Sequence, residues 1–333
     1  MALMGAVMRH AVTAALAITL APTALAQLVP DRTYYGVNRP IPMRVDAPEA
    51  AEGPVSIHLL APGPNGSADA EIVAQTEVEP GGVDLAGLFP ILWTSAEPRL
   101  LYAQLVVNHE GVGPAVVLQP MVTPLRARAA GNTVQFPPGQ PRVYSGLRAY
   151  PDAHIVFTTS EGEIEVALRP DHAPNTVWSI RSLADGGYYT DIVVHRVVPN
   201  VNGNPFVIQF GDPTGTGQGG PGYYTDLEPS SLPHDFGVMS MARTNDPDTN
   251  GSQVFICLSR AGTSFLDTRY TSFGQTVRGA DAILRIEQTP LESPRSQRPA
   301  DPPVILSARL VPAPPYGTGP APVTRPPAND GSR

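Results

Sequence analysis

The sequence predicts a mainly β protein built from two domains. The chain has 333 residues, a length that suits two domains better than one. Its 39 prolines and 31 glycines exceed average use and recur between short apolar runs, as turns do between short strands. Hydrophobic residues make up 42% of the chain, enough to build a core. Many short strands joined by turns are typical of β-sandwiches and β-barrels.

Residues 1–26 have the features of a signal peptide. Arg9 precedes the apolar run AVTAALAITLAPTALA, and ALA before Gln27 fits the small residues found at cleavage sites. The alternative is an N-terminal membrane anchor, which the shortness of the run and Pro22 disfavour. No later stretch is long and apolar enough to span a bilayer. We therefore expect an exported protein, periplasmic or secreted and cleaved after Ala26, and we take its source to be bacterial.

Residues 27–128 follow as a predicted β-rich accessory domain. Its apolar or alternating runs are VSIHLLAP, EIVAQTEVEP, RLLYAQLVVNHEG and AVVLQPMV, and PGPNGS and EPGG mark turns between them. This spacing predicts a small β-sandwich and is compatible with an immunoglobulin-like arrangement. The segment shows no metal-ligand spacing, catalytic triad or phosphate loop, so binding an unknown envelope partner is one hypothesis for its role.

The second predicted domain covers residues 150–311. HIVFTTSEGEIEVALRP predicts two strands around a turn, and APNTVWSIRSLADGGYY predicts a helix that begins at Pro174 and ends at a glycine pair. Residues 129–149 before it are rich in Pro, Gly and Arg and are predicted to be a linker. Residues 312–333 after it are Pro-rich and of low complexity, so we expect a disordered tail.

Composition and charge exclude several functions. All 22 basic residues are arginines, so chemistry that needs lysine, such as a Schiff base or a Walker A phosphate loop, is excluded. The net charge is −8 and the chain has no basic runs, which argues against nucleic-acid binding. Cys257 stands alone, so it cannot form an internal disulfide and is expected to be a core residue.

Four motifs follow one another in the second domain. In order they are VHRV, FVIQFGDPTGTGQGGPGY, GVMSMARTNDPDTNGSQVFI and FLDTRYTSFGQTV. The series resembles the cyclophilin family of peptidyl-prolyl cis-trans isomerases over about residues 150–311. The resemblance implies an eight-stranded antiparallel barrel capped by two helices, with the site on its outer face. It also implies that proline-containing polypeptides are the substrates and that neither a metal nor a cofactor is needed.

The resemblance also assigns roles to individual residues. Arg196 in VHRV matches the family's catalytic arginine, and its plain alternative is a surface ion pair. Gln209 matches a polar residue that steadies the arginine. The positions that match substrate contacts and pocket walls are Phe206, Val207, Gln209, Ala242, Arg243, Gln253, Phe255, Phe265, Leu266 and Tyr270. For the apolar members of this set, the alternative is ordinary core packing.

The chain departs from the family pattern at several positions beside the expected site. Phe265 stands where many members have tryptophan, and Tyr270 stands where many have histidine. Val207 replaces a common methionine, and Phe210 replaces a small residue that is usually glycine. The segment VNGNP, residues 201–205, is an apparent insertion before Phe206. We expect isomerase activity to survive these changes.

Other functions fit the sequence less well. GTGQGGPG lacks the Lys-Ser/Thr that completes a phosphate loop, and no G-x-S-x-G elbow indicates a serine hydrolase. The histidines have no metal-ligand spacing. The serious alternative is a catalytically weak module that binds proline segments, or a chaperone-like adaptor whose N-terminal domain selects the client.

Overall fold

The computed structural model describes residues 27–47, 53–63 and 66–327, so the predicted signal peptide lies outside the described residues. The helices are α1 (Leu85–Leu88), α2 (Ile91–Thr94), α3 (Pro174–Asp185), α4 (Arg260–Thr263) and α5 (Ala280–Glu287), with a 3₁₀ turn at Ser264–Leu266. The strands are β1 (Gln27–Pro30), β2 (Tyr34–Gly36), β3 (Pro42–Asp46), β4 (Val55–Gly63), β5 (Gly66–Glu77), β6 (Gly81–Asp84), β7 (Leu101–Val107), β8 (Glu110–Gly111), β9 (Val116–Val122), β10 (Arg128–Ala130), β11 (Thr133–Gln135), β12 (Tyr144–Pro151), β13 (Ala153–Thr159), β14 (Gly162–Leu168), β15 (Ile192–Val193), β16 (Arg196–Val198), β17 (Val207–Phe210), β18 (Val238–Met241), β19 (Val254–Cys257), β20 (Ser272–Arg278) and β21 (Val304–Pro312). Among the described residues, no helix is long and apolar enough to cross a membrane.

The N-terminal unit is a sandwich of two antiparallel sheets. One sheet has the order β2-β12-β9-β7-β4-β5, with β8 paired to β7, and the other has the order β1-β3-β6. Alternate residues of both sheets point into one core, for example Met43 of the small sheet and Leu59 and Leu118 of the large one. This alternation is what a sheet with one buried face requires. A β-rich, sandwich-like N-terminal domain is therefore confirmed.

The boundary of this unit differs from the prediction. Residues 144–149, placed in the predicted linker 129–149, belong to β12, which lies between β2 and β9 in the large sheet. Leu147 and Ala149 point into the sandwich core, whereas Tyr150 points to the opposite face. The prolines and glycines before Tyr144 made the whole segment resemble a linker, but they end where the strand begins.

The C-terminal unit is a closed antiparallel barrel. Its strands run in the order β15-β21-β13-β14-β20-β18-β19-β17-β16. Because β15 and β16 are two parts of one bent strand, pairing with β21 on one side and β17 on the other closes eight strands into a ring. Helices α3 and α5 pack against the barrel core through Ile180 and Ile283, among others. The predicted eight-stranded barrel with two capping helices is confirmed.

Phe210, which stands where the family usually has a small residue, points into the barrel and away from its outer face. Its ring lies edge-on to Phe157 at 5.4 Å between centroids and to Tyr189 at 6.3 Å. Only 1% of Phe210 is exposed. The substitution therefore fills the core and adds no aromatic ring to the outer surface.

The two units share a buried joint. Trp178 of α3 meets Tyr150 of β12 with ring centroids 5.1 Å apart. The guanidinium groups of Arg148 and Arg181 lie over these rings, each 4.6 Å from a centroid, an arrangement that favours cation–π attraction. Gln119 donates a hydrogen bond of 3.0 Å to Asn175 at the start of α3. Part of the outer face of the large sheet is thus covered by the barrel.

Residues 313–327 also differ from the prediction, which placed them in a disordered tail. Tyr316 packs on Tyr102 with centroids 4.3 Å apart, and its backbone N–H donates to the side chain of Gln104. Further along, Val323 donates a backbone hydrogen bond of 2.8 Å to Thr276 of the barrel. Composition predicted disorder because it gave no sign of these partners, which lie in both folded units. Residues 328–333 lie outside the described residues.

Replacing Asp152 with asparagine is expected to stabilise the protein in a pH-dependent way. Burial at the joint raises the pKa of Asp152 to about 7, aided by nearby Asp171 and opposed by the hydrogen bond from Ala153. Because the folded-state pKa exceeds the unfolded value of 3.8, the stabilising contribution of Asp152 is fully present below that value and is lost progressively as the pH rises to about 7. The asparagine side chain cannot ionise, so we expect Asp152→Asn to be about 1–3 kcal/mol more stable than wild type at pH 8 and little different at pH 4.

Urea unfolding of both proteins at the two pH values measures this difference. Asp171→Asn is the matched control, because Asp171 accepts two hydrogen bonds from Arg169 and its neutralisation should destabilise the protein. An Asp152→Asn effect of equal size at pH 4 and pH 8 would contradict the assignment.

Candidate active site

Arg196 lies on the outer face of the barrel, in a row of paired strand residues. It is opposite Gln209 of β17, which in turn is opposite Phe255 of β19. Arg196 donates from Nη1 to Gln209 Oε1 at 3.0 Å and from Nε to Gln297 Oε1 at 2.7 Å. Partial burial lowers the pKa of Arg196, yet a guanidinium stays charged at neutral pH. The two amide oxygens therefore hold a cation in a fixed orientation.

The side-chain amides of Gln209 and Gln253 connect Arg196 to the segment GTGQGGPG, residues 215–222, which we call the glycine-rich loop. Gln253 Nε2 donates to the carbonyl oxygens of Gly217 and Gly219 at 3.0 and 2.9 Å. Because carbonyls only accept, Gln253 must turn its Oε1 away from the loop, where it accepts from Gln209 Nε2 at 3.0 Å. Gln209 is then left with its oxygen facing Arg196. The carbonyl oxygens of the loop thus set the direction of the hydrogen bonds that link Gln253, Gln209 and Arg196.

Asp212 holds this loop from the inside. Its carboxylate accepts from the backbone N–H groups of Thr214 and Gly217 at 2.7 and 2.6 Å. Burial alone raises the pKa of Asp212, but these donors and Gly219 outweigh it and keep the pKa well below its usual range. The N–H groups that a phosphate would need are therefore used internally, which argues further against a phosphate-binding loop.

An apolar cluster lies beside Arg196, and we call it the proline-pocket cluster. Its buried members are Val198, Val207, Leu232, Val238, Phe255, Cys257 and Leu266, and its partly buried members are Val201, Phe206, Ala242 and Tyr270. The exposed ring of Phe265 stacks on Phe206 with centroids 5.7 Å apart and planes 13° apart. Tyr270 meets Phe255 edge-on, and the Arg243 guanidinium lies 4.4 Å from the Tyr270 centroid.

The structure brings the predicted site residues together on one face. Arg196, Gln209 and Gln253 form the hydrogen-bond chain, and the apolar residues form or adjoin the proline-pocket cluster. Val207 is only 2% exposed, so it supports the pocket from below. A cavity of about 650 Å³, lined by Gln209, Arg243, Gln253 and the glycine-rich loop, opens next to them. Contact of each residue with a substrate stays a prediction.

Two residues of the site were missed by the sequence reasoning. Gln297 fixes Arg196 Nε although 101 positions separate them, and no motif marks it. His234 lies under the Phe255 ring, with centroids 6.0 Å apart, and contacts Ser240 and Asp267 through its two nitrogens. Burial lowers the pKa of His234, so it is a neutral support for the pocket. The only sequence feature that could have pointed to His234 is its position just before the GVMSM motif.

Known proteins resemble the barrel unit over most of their own length. The family model for cyclophilin type peptidyl-prolyl cis-trans isomerases matches residues 154–310. Peptidyl-prolyl cis-trans isomerase-like 1 of Aspergillus fumigatus is 40% identical over 162 residues, covering 47% of this chain and 94% of that protein. Peptidyl-prolyl cis-trans isomerase ppi1 of Schizosaccharomyces pombe is 40% identical over 161 residues, covering 47% and 97%.

A crystal structure of a Cryptosporidium parvum cyclophilin type isomerase has a TM-score of 0.44 and 30% identity, covering 48% of this chain and 98% of that one. The N-terminal sandwich lies outside the region that the family model matches. The barrel unit, in contrast, corresponds to nearly the full length of relatives 40% identical to it. The chain therefore belongs to the cyclophilin family and is a cyclophilin-type peptidyl-prolyl cis-trans isomerase.

Proposed function

We propose that this isomerase acts on Xaa-Pro bonds of exported or envelope proteins and that Arg196 donates a hydrogen bond to the prolyl nitrogen as the amide twists. The observation that carries the proposal is the fixed guanidinium beside the proline-pocket cluster. The contacts to Gln209 and Gln297 use two of its five N–H groups, so the others are available to a substrate.

The reaction requires only rotation about a partial double bond. The barrier is about 18–20 kcal/mol because of conjugation, and uncatalysed Xaa-Pro isomerisation takes on the order of tens to hundreds of seconds. When the amide twists, conjugation is lost and the prolyl nitrogen becomes a better hydrogen-bond acceptor. A guanidinium placed there in advance stabilises the twisted state more than the planar one, and a partly dry groove strengthens the effect.

The energies show that Arg196 does not act alone. A thousandfold acceleration needs about 4 kcal/mol, whereas one hydrogen bond to a charged group contributes roughly 1.5–3 kcal/mol. The remainder must come from binding the twisted proline better than the planar one. Phe206, Tyr270 and the exposed ring of Phe265 supply an apolar surface that keeps water from the amide.

Export is proposed from the sequence of residues 1–26. It is supported by the apolar run after Arg9 and by the small residues that end at Ala26. The proposed site of action is the periplasm or the medium. N-terminal sequencing of the protein recovered from a bacterial host tests this, and a mature chain that retains residues 1–26 would overturn it.

Client selection by the N-terminal unit is a second proposal, favoured by one contact. The backbone N–H of Ala127 donates to Asp248 Oδ2 at 2.9 Å, and Asp248 lies in the loop that follows Arg243. The β10–β11 hairpin therefore leaves the sandwich beside the cavity described above, whose lining includes Thr244 and Thr249 of the same loop. A polypeptide that leaves the groove on this side would meet it.

A protease-coupled assay on a short proline peptide tests the isomerase directly. We expect the protein to accelerate cis-to-trans conversion at submicromolar concentration, because the guanidinium and the apolar wall are both in place. Absence of acceleration at micromolar protein would favour the binding-module alternative. Refolding of a proline-limited protein, measured in parallel, separates the two proposals, since a client-selecting unit would improve activity on the protein more than on the peptide.

A further inference from the structure

The inserted segment, residues 201–205, forms a closed hairpin that we call the pocket hairpin. Val201 and Asn204 exchange two backbone hydrogen bonds, of 2.7 and 3.0 Å. Asn202 and Gly203 between them have φ angles of 53° and 88°, the combination of a type I′ turn, and Asn-Gly is the preferred sequence for it. The segment is therefore a defined turn at the lip of the site.

The base of the pocket hairpin is anchored to the segment that carries Phe265. The carbonyl of Pro205 accepts a hydrogen bond of 2.6 Å from Ser259 Oγ, the N-cap of α4. A Cβ atom at Gly262 would overlap the same carbonyl, so only glycine allows this approach. The next residue, Phe206, hydrogen-bonds through its backbone to both Val198 and Leu258. Movement at the base of the hairpin would therefore disturb Phe206 and the segment that carries Phe265.

The position of the pocket hairpin places it against the aromatic wall. Val201 packs on the proline-pocket cluster, and Phe206 directly after the hairpin stacks on Phe265. The tip residues Asn202 and Gly203 are exposed and polar. A peptide whose proline occupies the pocket must therefore pass this tip with one of the residues next to proline.

We propose that the pocket hairpin determines specificity: it contacts the substrate residue that flanks proline on the Phe206–Phe265 side and disfavours large side chains there. The inference rests on the proposed isomerase function and adds a substrate class to it. A rigid turn does not yield to a bulky neighbour, and a clash of one or two methylene groups changes specificity by about tenfold or more. Small and hydrogen-bonding residues such as Ser or Asn avoid the clash and meet the backbone and amide groups of the tip.

The test compares kcat/KM over two peptide series, in which the residue before or after proline is Ala, Ser, Val or Phe. We expect wild type to prefer Ser over Phe by about tenfold at one of the two positions. Excision of Val201–Pro205, or Gly203→Val, which disfavours the I′ turn, should reduce that ratio to about twofold or less. The excised chain restores the shorter connection that the family pattern contains.

Gly81→Val is the matched control, because Gly81 is also exposed, with a positive φ and open space around it, but lies at the start of β6 in the N-terminal sandwich. It should leave the Ser-to-Phe ratio unchanged. An unchanged ratio in an active Gly203→Val or excised enzyme would overturn the inference alone. A wild-type protein without isomerase activity would instead overturn the proposed function on which it rests.

Discussion

Arg196→Ala is expected to lower kcat/KM for a proline peptide by about two orders of magnitude and to leave the fold intact. Loss of a single donor aimed at developing charge or a developing lone pair typically costs on the order of 10²–10³ in rate. The side chain lies on the outer face of the barrel, so its removal opens no core cavity, and water can reach the oxygens of Gln209 and Gln297. Protease-coupled kinetics and thermal unfolding measure the two parts of this prediction.

Separate measurement of kcat and KM for Arg196→Ala shows whether the hydrogen bond forms mainly in the twisted state. If Arg196 acts mainly on the transition state, kcat falls and KM changes little. Arg196→Lys is the control for charge: an ammonium cannot reproduce the planar fork held by two amide oxygens, so most of the loss should remain. Near-wild-type kinetics in Arg196→Ala would show that the apolar pocket alone accounts for the acceleration.

Much of the barrel and its site could be predicted from local sequence. VHRV and FVIQ specify neighbouring antiparallel strands, and a side-chain period of two fixes which residues face outward, so Arg196 and Gln209 had to meet once the pairing was known. Residues that reach the site from a loop show no such two-residue alternation in the sequence. Gln297 is the example: it contacts Arg196 only because a long connection between α5 and β21 passes the groove.

The wrong predictions of a linker at residues 144–149 and of disorder at residues 313–327 have a common physical cause. Proline and glycine mark turns, but they do not say whether the residues between them find partners elsewhere in the fold. β12 follows a Pro-rich stretch and residues 313–327 are Pro-rich themselves. Both make contacts with the other unit: Tyr150 packs on Trp178, and Tyr316 packs on Tyr102. Contacts across a joint depend on tertiary structure and leave no mark in composition.

The joint also determines where the units can be separated. A cut after residue 128 would remove β9 from β12 and leave Leu147 and Ala149 without the core that covers them. A cut after Pro151 keeps the sheet whole but uncovers Trp178 on the barrel. Comparisons of the isolated barrel with the full chain therefore have to replace exposed apolar residues of α3, so that lost client binding is distinguished from lost stability.

Arg325→Ala is expected to destabilise the folded protein by about 3 kcal/mol, a large share of the stability of a typical domain. Glu287 at the end of α5 is only 8% exposed. Arg325 donates from Nη2 to Glu287 Oε1 at 3.0 Å and brings Nη1 within 2.9 Å of Oε2. Nη1 also donates to the backbone carbonyl of Leu258. Without the guanidinium, a buried carboxylate remains with no cation, and that desolvation is the main cost.

Urea unfolding at neutral pH measures the loss, and a double variant shows its origin. Adding Glu287→Gln to Arg325→Ala removes the uncompensated charge, so we expect it to recover about 1–2 kcal/mol, which no independent pair of sites would do. Glu287→Gln alone should cost less than Arg325→Ala, because it leaves the arginine near the surface and able to reach water. If Arg325→Ala unfolds like wild type, the contact between Arg325 and Glu287 contributes nothing to stability.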